Sequence, residues 1–148
     1  MIEQLNHKNK KTAQTMLAIQ QPAYRIEGEM MGFHGIPQLS ETISDLQESE
    51  ETFIGYSEGK LQGFISYREE EKEIDIYRLV VHPDHFRKGI ARSLLNFLLK
   101  KYEGYNFIVS TGSANVPGRK LYEAFGFEEQ KECEVSPGIY CTEFFKKN

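Results

Sequence analysis

One run, Leu79-Val80-Val81-His82-Pro83-Asp84-His85-Phe86-Arg87-Lys88-Gly89-Ile90-Ala91-Arg92-Ser93-Leu94-Leu95, constrains this chain more than any other stretch. An apolar, β-branched strand end breaks at a proline, crosses a basic loop with one glycine, and enters an amphipathic helix. The fold must therefore carry a sheet with a helix packed on it. The junction also has a chemical consequence, because the N–H groups of a helix's first turn have no intrahelical acceptor. With the positive end of the helix dipole and with Arg87, Lys88 and Arg92 beside them, they form a site for phosphate or pyrophosphate. Gly89, lacking a Cβ, lets the backbone approach such a group closely. A P-loop is excluded because no Gly-x-x-x-x-Gly-Lys-Ser/Thr run is present, and a dinucleotide fingerprint because Gly89 lacks glycine partners at the required spacing.

Periodicity places the remaining elements. Residues 2–5 predict a short strand and residues 10–20 a helix with Met16, Leu17 and Ile19 as apolar positions. Pro22 is expected to end that helix, and residues 24–35 read as a glycine-punctuated, aromatic and acidic loop. Ser40 or Thr42 opens a second short helix carrying Ile43 and Leu46. Residues 53–56 and 61–67 predict two strands about a turn at Glu58-Gly59-Lys60. The next strand, residues 73–81, alternates Ile74 and Ile76 with Asp75 and Tyr77 and then becomes continuously apolar, so one end is wet and the other buried. After the glycine loop, Ile90, Leu94 and Leu98, with Ala91, Leu95, Leu99 and Tyr102, repeat at helical spacing and form a core face. Residues 106–110 supply another strand, residues 115–125 a helix that Gly126 can close in the left-handed conformation, and residues 127–135 and 139–145 a final hairpin about Pro137-Gly138. The class is α+β with a central mixed sheet in one domain covering residues 1–148.

A hydrophobic share of 39% and an aromatic share of 12% are too high for a disordered polymer. No apolar run approaches a membrane span and residues 1–4 begin no signal peptide, which points to a cytoplasmic protein without a membrane partner. A formal charge of −4 argues against nucleic acid as the bulk partner. Cys133 and Cys141 flank the Ser136-Pro137-Gly138 turn and are expected as reduced thiols in packed positions, and a zinc site lacks ligands at suitable spacing.

Two segments resemble one family. The loop meets the coenzyme A pyrophosphate signature of the GNAT superfamily of N-acetyltransferases, Gln/Arg-x-x-Gly-x-Gly/Ala, at Gly89 and Ala91. It departs at Phe86, where the family places Gln or Arg, and Arg87 stands one residue late. Asn115-Val116-Pro117-Gly118-Arg119-Lys120-Leu121-Tyr122-Glu123-Ala124-Phe125-Gly126-Phe127 is similar to the family's Asn-x-x-Ala-x-x-x-Tyr-x-x-x-Gly-Phe, with Gly118 in place of alanine. The resemblance implies a mostly antiparallel twisted sheet of about seven strands flanked by about four helices and splayed at the cofactor site. It implies acetyl-coenzyme A as cofactor, a small-molecule or peptide amine as acceptor, and direct attack in a ternary complex. Monomer and homodimer both stay open. A non-catalytic acyl-coenzyme A sensor, or an interaction module of the same fold, is the alternative.

By the same resemblance, Leu79, Val80 and Val81 hold the pantetheine arm through main chain and polarise the acetyl carbonyl. Arg87, Lys88, Gly89, Ala91 and Arg92 hold the pyrophosphate, and Asn115 either bonds the cofactor arm or caps its own helix. Tyr122 protonates the departing thiolate. The base that takes the amine proton is assigned to Asp75, on the strand feeding the loop and on one face with Glu73 and Tyr77. Glu27, Glu29 and His34 are the other candidates, or a water chain replaces a dedicated residue. Acceptor choice falls to the opening helices and the loop between them, with Tyr24, Glu27, Phe33 and His34 as lining.

Overall fold

The computed structural model describes residues 1–147. Among them the order is β1 (Ile2–Gln4), α1 (Lys10–Met31), a 3-10 turn (Pro37–Ser40), α2 (Ile43–Glu48), β2 (Thr52–Glu58), β3 (Lys60–Glu70), β4 (Glu73–Val81), a second 3-10 turn (Pro83–His85), α3 (Ile90–Lys101), β5 (Asn106–Gly112), α4 (Val116–Ala124), β6 (Glu128–Ser136) and β7 (Ile139–Lys146). The strands form one sheet in the order β1-β2-β3-β4-β5-β7-β6. Every adjacent pair is antiparallel except β4 and β5.

Alternation along the central strands sends side chains to two cores, one on each face. Ile54, Ile65, Ile74 and Ile76 pack with Leu94, Leu95 and Leu98 of α3 and with Tyr122 of α4. Phe53, Phe64 and Val80 pack on the other face with Ala13, Met16 and Ile19 of α1 and Leu46 of α2. Burying such side chains on both faces is what holds a twisted sheet between helices. β6 lies at the edge, exposed along most of its length and studded with Glu128, Glu129, Lys131, Glu132 and Glu134, charges that discourage pairing with another chain. Cys133 sits on that edge strand, exposed rather than packed, directly opposite Cys141. No helix among the described residues is long and apolar enough to cross a membrane.

The opening helix overturns the expectation set by Pro22. α1 runs through Pro22 to Met31, absorbing much of the stretch expected as loop. A mid-helix proline removes one backbone hydrogen bond and costs about 3 kcal/mol, but the helix is anchored along its length. The Asn9 side chain accepts from the Thr12 N–H at 3.1 Å, and Ala13, Met16, Ile19, Gln20, Tyr24 and Gly28 are buried. At the far end Gly32 takes a left-handed φ of 62°, Gly32 N–H donates to Glu29 C=O, and Phe33 N–H donates to Gly28 C=O. That reciprocal pair satisfies the terminal carbonyls. Gly28 serves the same closure, since a Cβ there would stand 2.7 Å from the Phe33 carbonyl oxygen.

The other helix boundaries follow local chemistry as expected. Thr42 and Asp45 form a reciprocal capping box at the start of α2. Gly126, with φ 88°, closes α4 through Gly126 N–H to Glu123 C=O and Phe127 N–H to Tyr122 C=O. The feature that positions the site is the β4–β5 ladder, which runs only from Glu73↔Asn106 to Ile76↔Val109. Beyond Ile76 the two parallel strands part.

Candidate functional site

Where β4 and β5 separate, a cavity of about 890 Å³ opens through the molecule. Leu79 and Val81 line it from β4, Ser110, Thr111 and Gly112 from β5, Tyr24, Glu27 and Met31 from α1, and Asn115 and Tyr122 from α4 and its cap. β4 is paired with β3 as far as Val81 but loses β5 as a partner beyond Ile76, so this part of β4 presents an unpaired main-chain edge toward the gap.

At one end stands the glycine loop. Arg87 (φ 63°) and Gly89 (φ 77°) both adopt left-handed backbone, which curls the segment before it enters α3. Gly89 caps α3 with no side-chain hydrogen bond, leaving the first-turn N–H groups to face the cavity. Arg87 and Arg92 join Gly89, Ile90 and Ala91 in the lining. Arg92 also lies over the Phe125 ring, 5.3 Å from its centroid. A diphosphate fits this end, lined by the first turn of α3 with its helix dipole and by Arg87 and Arg92. The unpaired edge of β4 in turn fits an extended amide-bearing arm. Lys88 and Val80 lie outside the lining; Val80 is buried on the opposite face of the sheet, packed with α1.

The throat of the cavity holds Glu27, Tyr24 and Tyr122. Burial raises the pKa of Glu27, and a hydrogen bond from Asn115 Nδ2 to its Oε1, at 3.1 Å, works against that rise. Tyr122 is 6% exposed, and burial together with the charge of Glu27 raises its phenol so that it stays protonated at all ordinary pH. Tyr24 is raised by burial and by Glu27 as well. Asn115 caps α4, its Oδ1 accepting from Gly118 N–H at 3.1 Å. Cys141 of β7 reaches the lining, its thiol raised by burial and by Glu27.

Of the residues predicted for the acceptor side, Tyr24, Glu27 and Phe33 line the cavity and His34 does not. Asp75 lies on the closed side of the fork, paired with Arg68 of β3 and Ile108 of β5, and outside the lining. Desolvation, with the carboxylates of Glu73 and Glu143, raises its pKa, yet Asp75 does not reach the cavity.

Sequence reasoning missed Arg78. It is 6% exposed and forms part of the cavity wall, with all its donors engaged. Nε donates to Glu51 at 2.9 Å, Nη1 to Gln20 at 3.0 Å and to Glu41, and Nη2 to Glu41 at 3.0 Å and Glu51 at 3.1 Å. Burial raises the Glu51 carboxyl, but the hydrogen bonds from Arg78 and Ser66 outweigh it and its pKa ends lowered. The cluster ties α1, the Pro37–Ser40 turn and the start of β2 to β4. Its only sequence signal is an arginine interrupting the apolar end of a strand, which points to a buried partner.

The sequence matches the model of the acetyltransferase (GNAT) family over residues 13–127. It is 44% identical over 146 residues to UPF0157 protein YqkA of Bacillus subtilis, covering 97% of this chain and 43% of that protein. A shorter match, 32% identical over 62 residues, covers 40% of this chain and 27% of human N-acetyltransferase 8. The chain thus spans less than half the length of both relatives. The fold resembles the ribosomal-protein-S18-alanine N-acetyltransferase of Escherichia coli, with a TM-score of 0.76 at 20% identity over 98% of this chain and 91% of that one. It also resembles the PaiA N-acetyltransferase of Thermoplasma acidophilum in complex with coenzyme A, with a TM-score of 0.74 at 16% identity over 97% and 98% of the two chains.

Proposed function

The chain belongs to the GNAT acetyltransferase family, and from that premise we propose that it is an acetyl-coenzyme A dependent N-acetyltransferase. It passes the acetyl group to a primary amine of a small molecule or peptide by direct attack in a ternary complex. The observation that carries this reading is the forked cavity itself: an anion site built of free amides at one end, and a buried carboxylate and phenol at its throat.

Bound acetyl-coenzyme A supplies the acetyl thioester. The first-turn amides of α3, with Arg87 and Arg92, hold the diphosphate. Phe86 gives no side-chain hydrogen bond there, so main chain and Arg87 carry the contact. The free edge of β4 at Leu79 and Val81 would hold the arm, and its main-chain N–H groups would stabilise the negative charge that develops on the acetyl oxygen, whereas Val80 turns toward β3. Tyr24 and Phe33 face the acceptor.

Glu27, in place of Asp75, takes the proton from the acceptor amine. A primary ammonium has no lone pair, and a carboxylate with a raised pKa is a better match for its proton than an ordinary one. Tyr122 would give its proton to the leaving thiolate, and the second proton shed by the nitrogen as the amide forms would return to the phenolate. The two steps help one another through charge. While Glu27 is ionised it raises the Tyr122 pKa; once Glu27 has taken a proton, that hold is released and the phenol becomes a stronger acid.

Thiol release from acetyl-coenzyme A across a panel of primary amines tests the reading. Amine-dependent release is expected, slowed by about a hundredfold or more in E27Q and Y122F. Saturable coenzyme A binding without release for any amine would replace the enzyme with the non-catalytic sensor.

A further inference from the structure

We propose that Asn115, seated in the room left by Gly118 and steadied by Thr111, is a positioning residue that holds the Glu27 carboxylate across the gap between α4 and α1. Both amide hydrogens of Asn115 and its side-chain oxygen have partners. Oδ1 accepts from Gly118 N–H at 3.1 Å, one Nδ2 hydrogen goes to Glu27 Oε1 at 3.1 Å, and the other goes to Thr111 Oγ1 at 3.2 Å. Turning the amide over would set its oxygen against the Glu27 carboxylate and its NH2 against the Gly118 N–H, so the orientation is determined by its partners. Among the described residues, Asn115 is the sole hydrogen-bond donor to Glu27.

Gly118 makes the arrangement possible. A Cβ at that position would lie 2.8 Å from Asn115 Nδ2, 3.1 Å from its Cγ and 3.2 Å from Thr111 Oγ1. The helix gains nothing from glycine here, since alanine is the better helix former by about 1 kcal/mol. The room is taken up by the Asn115 amide. Among the described residues, no other titratable or charged group around Glu27 donates a hydrogen bond to it. Tyr24 on its own helix, Tyr122 on α4 and Cys141 on β7 all feel its charge, and Arg78 of β4, which faces Tyr24, is fully engaged by Gln20, Glu41 and Glu51.

The test reads Glu27 directly and so does not need turnover; only its kinetic arm rests on the transferase reading. In protein labelled with carbon-13 at glutamate carboxyls, the Glu27 resonance is identified by its loss in E27Q and titrated in wild type, G118A and N115S. G118A displaces the Asn115 amide while favouring the helix. N115S keeps an N-cap oxygen for Gly118 N–H but cannot reach Glu27. In both variants the Glu27 midpoint is expected to move to higher pH, with thermal stability of G118A close to wild type, the gain from alanine in the helix offsetting the loss of the Asn115 cap. The acidic limb of kcat/KM should move by the same amount. A Glu27 midpoint unmoved in the two variants would overturn the proposal, whether or not the protein turns over. Absence of thiol release in wild type, with the midpoint moved, would remove the transferase reading and leave the positioning role standing.

Discussion

Removing Arg78 isolates the network that joins α1 and the Pro37–Ser40 turn to the sheet. In R78M an aliphatic side chain fills much of the same space, but Glu41 and Glu51 lose the cation they share and face one another across a poorly hydrated interface. Their side chains are 21% and 10% exposed, so water cannot make good the loss in full. Removing one partner from a buried ion pair costs about 3–5 kcal/mol. The exposure of Glu41 argues for the lower end, near 3 kcal/mol, and at roughly 2–4 °C per kcal/mol for a domain of this size the melting temperature should fall by about 10 °C at pH 7. The pH dependence identifies the cause. In wild type the folded pKa of Glu51 is lowered, so its contribution is present above the unfolded carboxylate range near 4.3 and fades as pH falls through the folded value. In R78M the pair is left without its cation, one carboxyl holds its proton more tightly than in the unfolded chain, and protonation relieves the penalty. Melting curves of the two proteins followed by circular dichroism at pH 7 and pH 4.5 should therefore converge at the lower pH. Adding E41Q and E51Q to R78M should restore part of the loss at pH 7. A melting-temperature difference that is the same at both pH values, or a triple variant no better than R78M, would refute the electrostatic account and leave packing as the explanation.

Coenzyme A should raise the melting temperature with the logarithm of its concentration, adding about 2.7 kcal/mol of stability at a hundredfold excess over Kd; R87E, which sets a negative charge against the diphosphate, should weaken that shift in differential scanning fluorimetry. Y122F should lower kcat by about a hundredfold or more, with coenzyme A affinity by calorimetry unchanged, since the phenol acts on the leaving group. Glu27 must be ionised to accept a proton and its pKa is raised by burial, so kcat/KM should fall as pH drops through a midpoint above the ordinary glutamate range; E27Q should abolish that limb in stopped-flow thiol release, whereas D75N should leave it in place. An acidic limb that survives in E27Q and vanishes in D75N would return the base to β4.

The order of strands and helices is legible in the sequence because its determinants are local. Ile90, Leu94 and Leu98 repeat at helical spacing, Ile74 and Ile76 alternate along a strand, and Thr42, Asn115 and Gly126 carry their own capping chemistry. The anion site is legible for the same reason: a strand end, a glycine and a helix start are contiguous, so their geometry follows from a short segment. Pro22 misled because helix termination was weighed from one residue's propensity. The outcome depends on a buried face that pairs α1 with strands far along the chain.

Which of the candidate carboxylates lines the cavity could not be read from the chain for a related reason. Asp75 has the expected strand and alternation, but the fork between β4 and β5 opens just beyond it at Ile76 and Val109. Where two parallel strands part depends on the helices packed against them and is written in no single segment. The same holds for the contact between Glu27 and Asn115, 88 residues apart, and for Arg78 meeting Gln20, Glu41 and Glu51. Sequence alone determined the order of the elements and the succession of strand end, glycine loop and helix start at residues 79–95, because short-range sterics and hydrogen bonding set them. Tertiary structure alone decided which carboxylate reaches the cavity, because that is settled by how separate elements share one buried space.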